Sequence, residues 1–205
     1  MKSLDERFSE RLCTTELIRD GIVDPATWKS SHPKLLYVLK EAYDTNDPNK
    51  GWDLRDFAIS KSCKGKAFRE LAYWTHCIRY GIDELPSLYL DDAQQASILK
   101  TTAIINLKKV PEGRICSDYK DLQHYVDRYR DLLFEQIEQI DAEIVVCGST
   151  WRMLKKIMPS SPHSNRVHIA GNRFFVDFWH PANRFPRLMN CATLVSVLRS
   201  AGVVA

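Results

Sequence analysis

The chain lacks any apolar run near the roughly 20 residues that a membrane-spanning helix needs. Its opening residues, MKSLDERFSERL, mix acids and bases and carry no apolar stretch of the kind a secretory signal requires. A cytoplasmic protein without a membrane role is the expectation. None of the six cysteines, at 13, 63, 77, 116, 147 and 191, forms a C-x-x-C pair. No Cys/His group has zinc-ligand spacing either. Reduced thiols are expected, with Cys147 and Cys191 in the core, where free cysteine behaves as a small hydrophobe. Repeats, low-complexity tracts and inter-domain linkers are absent, so the 205 residues predict one domain over 1–205. Acids are scarce only in the last third. From Thr150 to Ala205 there are eight basic residues against the single acid Asp177, a net +7, which leaves −4 for the remainder of a +3 chain. That imbalance suits a phosphate-binding face, or an ordinary solvated surface.

Periodicity supplies the elements. Leu4, Phe8, Leu12 and Leu17 share a helical face over 4–20, with Gly21 as the stop. LLYVL (35–39), TAIINL (102–107) and EIVVCG (143–148) are continuous apolar runs, the pattern of strands buried on both sides. RVHIAG (166–171) and RFFVDFW (173–179) form a last strand region. Helices are predicted over 66–81, 91–100, 117–140, 149–157 and 189–202, the fourth opening on Ser149 and Thr150. The polar stretch 40–57, rich in Asp, Asn, Pro and Gly, reads as a long loop, and long loops in compact domains are often functional. Strands alternating with helices imply right-handed crossovers. The expected fold is a three-layer α/β/α sandwich around a mainly parallel four-stranded sheet.

Ligands of open α/β sheets bind beyond the carboxyl ends of the strands. The residues there are Lys40, Glu41, Ala42, Tyr43 and Asp44 after the first strand, and Asn106, Lys108, Lys109 and Pro111 after the second. Gly148, Ser149 and Thr150 follow the third, and Asp177 through Phe185 close the fourth. Carboxylate, amide, hydroxyl and imidazole therefore converge on one edge.

Four segments, LKEAYD (39–44), INLKKVPEG (105–113), VVCGSTWRMLKK (145–156) and WHPANRF (179–185), occur in the order of four motifs of one family. They resemble the first-loop G-Q-D-P-Y-H or G-E-x-P-G, the T-N-V-x-K-x-R-P-P, the G-x-T-A-like turn and the H-P-S of the uracil-DNA glycosylase superfamily. CKGKAFREL (63–71) is similar to its F-x-G-x-A-G-x-L-L region. The resemblance spans about residues 35–185. Lys40 stands where the family has Gly, Ala42 or Tyr43 where it has Pro, and Ala182 where it has Ser. The early close cysteine pair of the iron–sulfur branch is missing, so neither cluster, metal nor organic cofactor is expected.

The resemblance implies a glycosylase that cleaves an N-glycosidic bond and leaves an abasic site. Positive charge develops on the deoxyribose and negative charge on the leaving base. Glu41, or as second choice Asp44, would stabilise the cation and orient water. Asn106 would read the edge of a flipped base, since an amide offers both donor and acceptor. His180 would bond the leaving base oxygen. Tyr43, Trp52 and Phe57 would contact or stack on the base. Ser149 and Thr150 would hold a phosphate through backbone N–H groups. Asn183, Arg184 and Phe185 would meet DNA, with Arg184 or Phe185 filling the gap left by the base. DNA is the partner implied, with no obligatory protein partner. Two substrates fit the resemblance, uracil and the glucosylated hydroxymethylcytosine of phage DNA, the latter in anti-phage defence. Two other readings stay open: a non-catalytic nucleic-acid or nucleotide binding module on the same fold, and a flavodoxin-like small-molecule hydrolase.

Overall fold

The computed structural model describes residues 2–43, 47, 49–60, 65–83, 85, 88–113 and 116–204. Its elements run α1 (Leu4–Leu12), β1 (Ile18–Arg19), β2 (Gly21–Ile22), α2 (Pro25–Trp28), β3 (Leu35–Leu39), β4 (Trp52–Asp53) and α3 (Leu54–Ile59). Then follow α4 (Lys66–Tyr80), α5 (Asp92–Lys100), β5 (Thr102–Asn106), α6 (Tyr119–Arg128), α7 (Arg130–Ile140) and β6 (Ile144–Gly148). The chain closes with α8 (Trp151–Leu154), β7 (Ser161–Ser164), β8 (Val167–Ala170), β9 (Arg173–Phe178) and α9 (Arg187–Ser200).

The molecule is mixed α/β. The sheet is larger than the four strands expected from the apolar runs. Among the described residues it has seven strands in the order β2-β5-β3-β6-β9-β8-β7. β5, β3, β6 and β9 are mutually parallel, while β2, β8 and β7 join antiparallel at the two edges. β2, only two residues long, and the exposed β7 were not foreseen, whereas β8 falls within the strand region expected at 166–171. β1 and β4 form a separate two-stranded parallel pair.

Every residue of β3, β5 and β6 is buried. Alternate side chains feed opposite faces. Leu35, Tyr37 and Leu39 pack with α3, α4, α5 and α9, whereas Leu36 and Val38 pack with α1, α2, α6, α7 and α8. Helices thus cover both faces. Cys147 and Cys191 are fully buried, as expected, and Cys13 and Cys116 are exposed. Cys63 lies outside the described residues.

Three predicted helices are shorter than their patterns, the one expected over 149–157 being only α8, Trp151–Leu154. α1, opened by a Ser3–Glu6 capping box, stops at Cys13 in a left-handed conformation, φ 53°. Leu17 is buried from an extended segment instead. The helix expected over 117–140 breaks at Tyr129, φ −113° and ψ 20°. The Tyr129 ring is buried between Phe8 and Tyr125, so packing of that ring overrides a helical pattern that is otherwise continuous. No helix among the described residues is long and apolar enough to cross a membrane.

Candidate active site

Because β5, β3, β6 and β9 run the same way, their last residues, Asn106, Leu39, Gly148 and Phe178, share one edge of the sheet. Leu39 is the register partner of Asn106. The pairing continues past the strand ends: Leu107 N–H donates to Leu39 O at 2.9 Å, Lys108 N–H to Lys40 O at 3.0 Å, and Glu112 N–H to Ala42 O at 3.1 Å. This zipper carries Glu41 out of the sheet beside Asn106.

Glu41, Asn106 and His180 line one cavity of about 1070 Å³. Tyr43, Trp52 and Phe57 line it too. The far wall comes from the segment expected to be a long loop over 40–57. Part of that segment is regular: Trp52 and Asp53 pair with Ile18 and Arg19, and α3 begins at Leu54. Gly51 makes the docking possible. A Cβ there would lie 2.4 Å from the Leu17 backbone, so only glycine permits the approach. Phe57 then bridges Trp52 and Phe68, with ring centroids 5.2 and 5.5 Å apart.

Each polar group has a distinct state. Asn106 is 2 % exposed, and its side-chain nitrogen is buried with no partner among the described residues. Leaving such a donor unpaired costs about 1–3 kcal/mol, so it calls for an acceptor brought by water or ligand. His180 Nδ1 accepts the Ala182 N–H at 3.2 Å. The neutral ring then carries its proton on Nε2. Burial, with help from the positive charge of Lys40, pushes the imidazole down to about 4, so it is neutral at pH 7. Glu41 is buried, and its Oε1 accepts the Tyr43 hydroxyl at 2.9 Å. The same hydroxyl lies 2.6 Å from Ser117 Oγ. Burial raises Tyr43 to about 12, opposed by Ser117 and assisted by Glu41.

Other expected site residues have different duties. Ser149 gives its N–H to Phe178 O at 2.8 Å, and Thr150 is buried with its hydroxyl donating to Val38 O at 2.9 Å. That N–H and that hydroxyl are therefore spent within the protein, and α8 has only four residues. The backbone phosphate grip expected at Ser149 is corrected accordingly. Asn183 folds its loop: its amide nitrogen donates to His180 O at 2.8 Å, and its oxygen accepts Phe185 N–H at 2.8 Å. It shapes the turn after His180 and does not reach outward. Arg184 and Phe185 are exposed, the Phe185 ring 4.7 Å from that of Trp179. Asp44, the second carboxylate candidate, lies outside the described residues. The basic face is also thinner than counted. Arg173 pairs with Glu138 and Asp141, Arg187 with Glu70, and Arg166 lies over Trp179.

Sequence reading missed Asp20. This buried carboxylate accepts Asn106 N–H at 2.7 Å, Lys109 Nζ at 2.8 Å and Gln136 Nε2 at 2.9 Å. It holds the backbone of the amide residue from beneath the cavity. Burial lowers the Lys109 pKa while Asp20 opposes that shift. Asp20→Ala strands a buried ammonium and is expected to destabilise the fold by about 3–5 kcal/mol. Urea unfolding followed by far-UV circular dichroism measures this; a loss below about 1 kcal/mol would contradict the pairing.

Among the described residues no group of three or more His, Cys, Asp or Glu is placed to hold a metal ion. No protein-family model matches the chain, and a search of curated proteins finds no match.

Proposed function

We propose that the chain is a monofunctional DNA glycosylase related to the uracil-DNA glycosylase superfamily. The observation that carries this reading is the meeting of Glu41, Asn106 and His180, far apart in sequence, in one cavity. The three groups are of the chemical types that cleavage of an N-glycosidic bond requires.

In this reading a nucleotide flips out of the DNA and its base enters the cavity. The Asn106 amide nitrogen, which has no partner among the described residues, donates to an acceptor on the base edge. The C1′–N bond breaks and its electron pair leaves with the base. His180 Nε2–H, already neutral and oriented, donates to the base oxygen where negative charge gathers. Water forms the new C1′–O bond and passes a proton to Glu41, which stabilises the sugar cation beforehand. That proton returns through solvent to the base anion, so the products are free base and an abasic site. Arg184 and Phe185, exposed beside His180, are in reach of the strand the base has left.

Small-molecule pockets commonly hold about 300–1,000 Å³. At about 1070 Å³ this one exceeds what an unmodified pyrimidine needs. An open cleft of that size has room for plain uracil and also for a base with a bulky substituent, such as glucosylated hydroxymethylcytosine in phage DNA. That substrate would make the protein an anti-phage enzyme. Incubation with uracil-containing, hydroxymethylated and glucosylated DNA tests both statements. Mass spectrometry of released bases and alkali-induced strand breaks report the outcome. Release of uracil or of the glucosylated base is expected. Intact DNA in every arm would leave a binding module on the same fold.

A further inference from the structure

We propose that Tyr43 is a positioning residue for Glu41, acting through its hydroxyl and not as a stacking surface for the base. The inference rests on the glycosylase reading of this cavity and refines it. An ionised carboxylate only accepts hydrogen bonds. The proton in the 2.9 Å contact between Tyr43 and Glu41 Oε1 therefore belongs to the phenol. The phenolic oxygen is then left to accept from Ser117 Oγ at 2.6 Å. The chain Ser117 to Tyr43 to Glu41 has one direction and ends on the reactive group. A ring needed only to stack on the base would have no use for it.

The backbone holds both ends of this chain. Tyr43 bridges in parallel fashion to Glu112, and Glu112 N–H donates to Ala42 O. Ser117 sits next to Asp118, which caps α6 by accepting Lys120 and Asp121 N–H groups. The relay thus joins the segment after β3 to the start of a helix. It ties down one oxygen of Glu41 and turns the other, which has no partner among the described residues, over to the water it must orient.

Single-turnover base release with uracil duplex DNA and with glucosylated phage DNA tests the assignment. Tyr43→Phe keeps the ring and removes the hydroxyl. The rate at saturating enzyme is expected to fall by about tenfold or more, the scale of a hydrogen bond to a charged group. The concentration giving half-saturation stays unchanged. Ser117→Ala gives a smaller loss of the same kind. In a Glu41→Gln background, Tyr43→Phe has no further effect on any residual rate. An active wild type with Tyr43→Phe at full rate, or weakened only in DNA binding, overturns the positioning role and leaves the glycosylase reading intact. A wild type that releases no base from either DNA removes both. If Tyr43→Phe does not fold by circular dichroism, Ser117→Ala decides: a rate loss at unchanged affinity supports the relay, and a wild-type rate overturns it.

Discussion

Glu41→Gln is expected to reduce base release by about 10²–10⁴-fold, the range associated with loss of a positioned acid–base group. The substitution keeps the side-chain volume and one acceptor oxygen. In the proposed mechanism it removes the negative charge that would face the sugar and the site that would take water's proton. DNA affinity should survive, because Glu41 is buried at the cavity wall and supplies no positive charge to phosphate. The measurement is single-turnover release of the base, paired with fluorescence anisotropy of DNA binding. A glutamine variant with wild-type turnover would remove Glu41 from the chemistry.

His180→Ala is expected to lower the same rate by about 10²–10³-fold, as loss of one oriented donor to a developing anion does. The protonation state sharpens the test. Its folded pKa, about 4, lies below the ordinary histidine value. Between those values the unfolded chain binds more protons than the folded one. Stability therefore rises with pH through that window and is lost as pH falls through it toward 4. The donor itself is neutral at both ends of the physiological range. The rate should show no step near the ordinary value of about 6.5. A step there that His180→Gln abolishes would mean that an imidazolium does the work, and the neutral-donor mechanism would fail.

What the sequence revealed follows from where its constraints are local. The strands over 35–39, 102–107 and 143–148 were legible because strands buried on both faces are written as unbroken apolar runs. That Glu41, Asn106 and His180 share one cavity was foreseen on two grounds: they lie just past the carboxyl ends of strands, and their segments resemble the glycosylase motifs. Asp20 was not legible. Its partners Asn106, Lys109 and Gln136 are 86, 89 and 116 residues away, and an Ile-Arg-Asp-Gly segment looks like an ordinary turn. The two-residue strands β1, β2 and β4 are too short to show a period. Ser149 was misjudged because a helix start looks the same in sequence whether its N–H groups face solvent or, as here, finish a strand ladder to Phe178. The break at Tyr129 was hidden because it depends on Phe8, more than a hundred positions earlier.

The sheet's outermost strands bear on how the protein behaves in concentrated solution. A long naked border invites recruitment of a foreign strand and growth into aggregates. One border here is β2, two residues long. The other is β7, which contains Pro162 and a register shift between Pro162 and Ser164. Proline has no N–H to offer, and an irregular register gives an incoming strand nothing to match. Both flanks are poor templates, so the four parallel strands can deliver their carboxyl ends to an open cleft without the sheet also becoming adhesive.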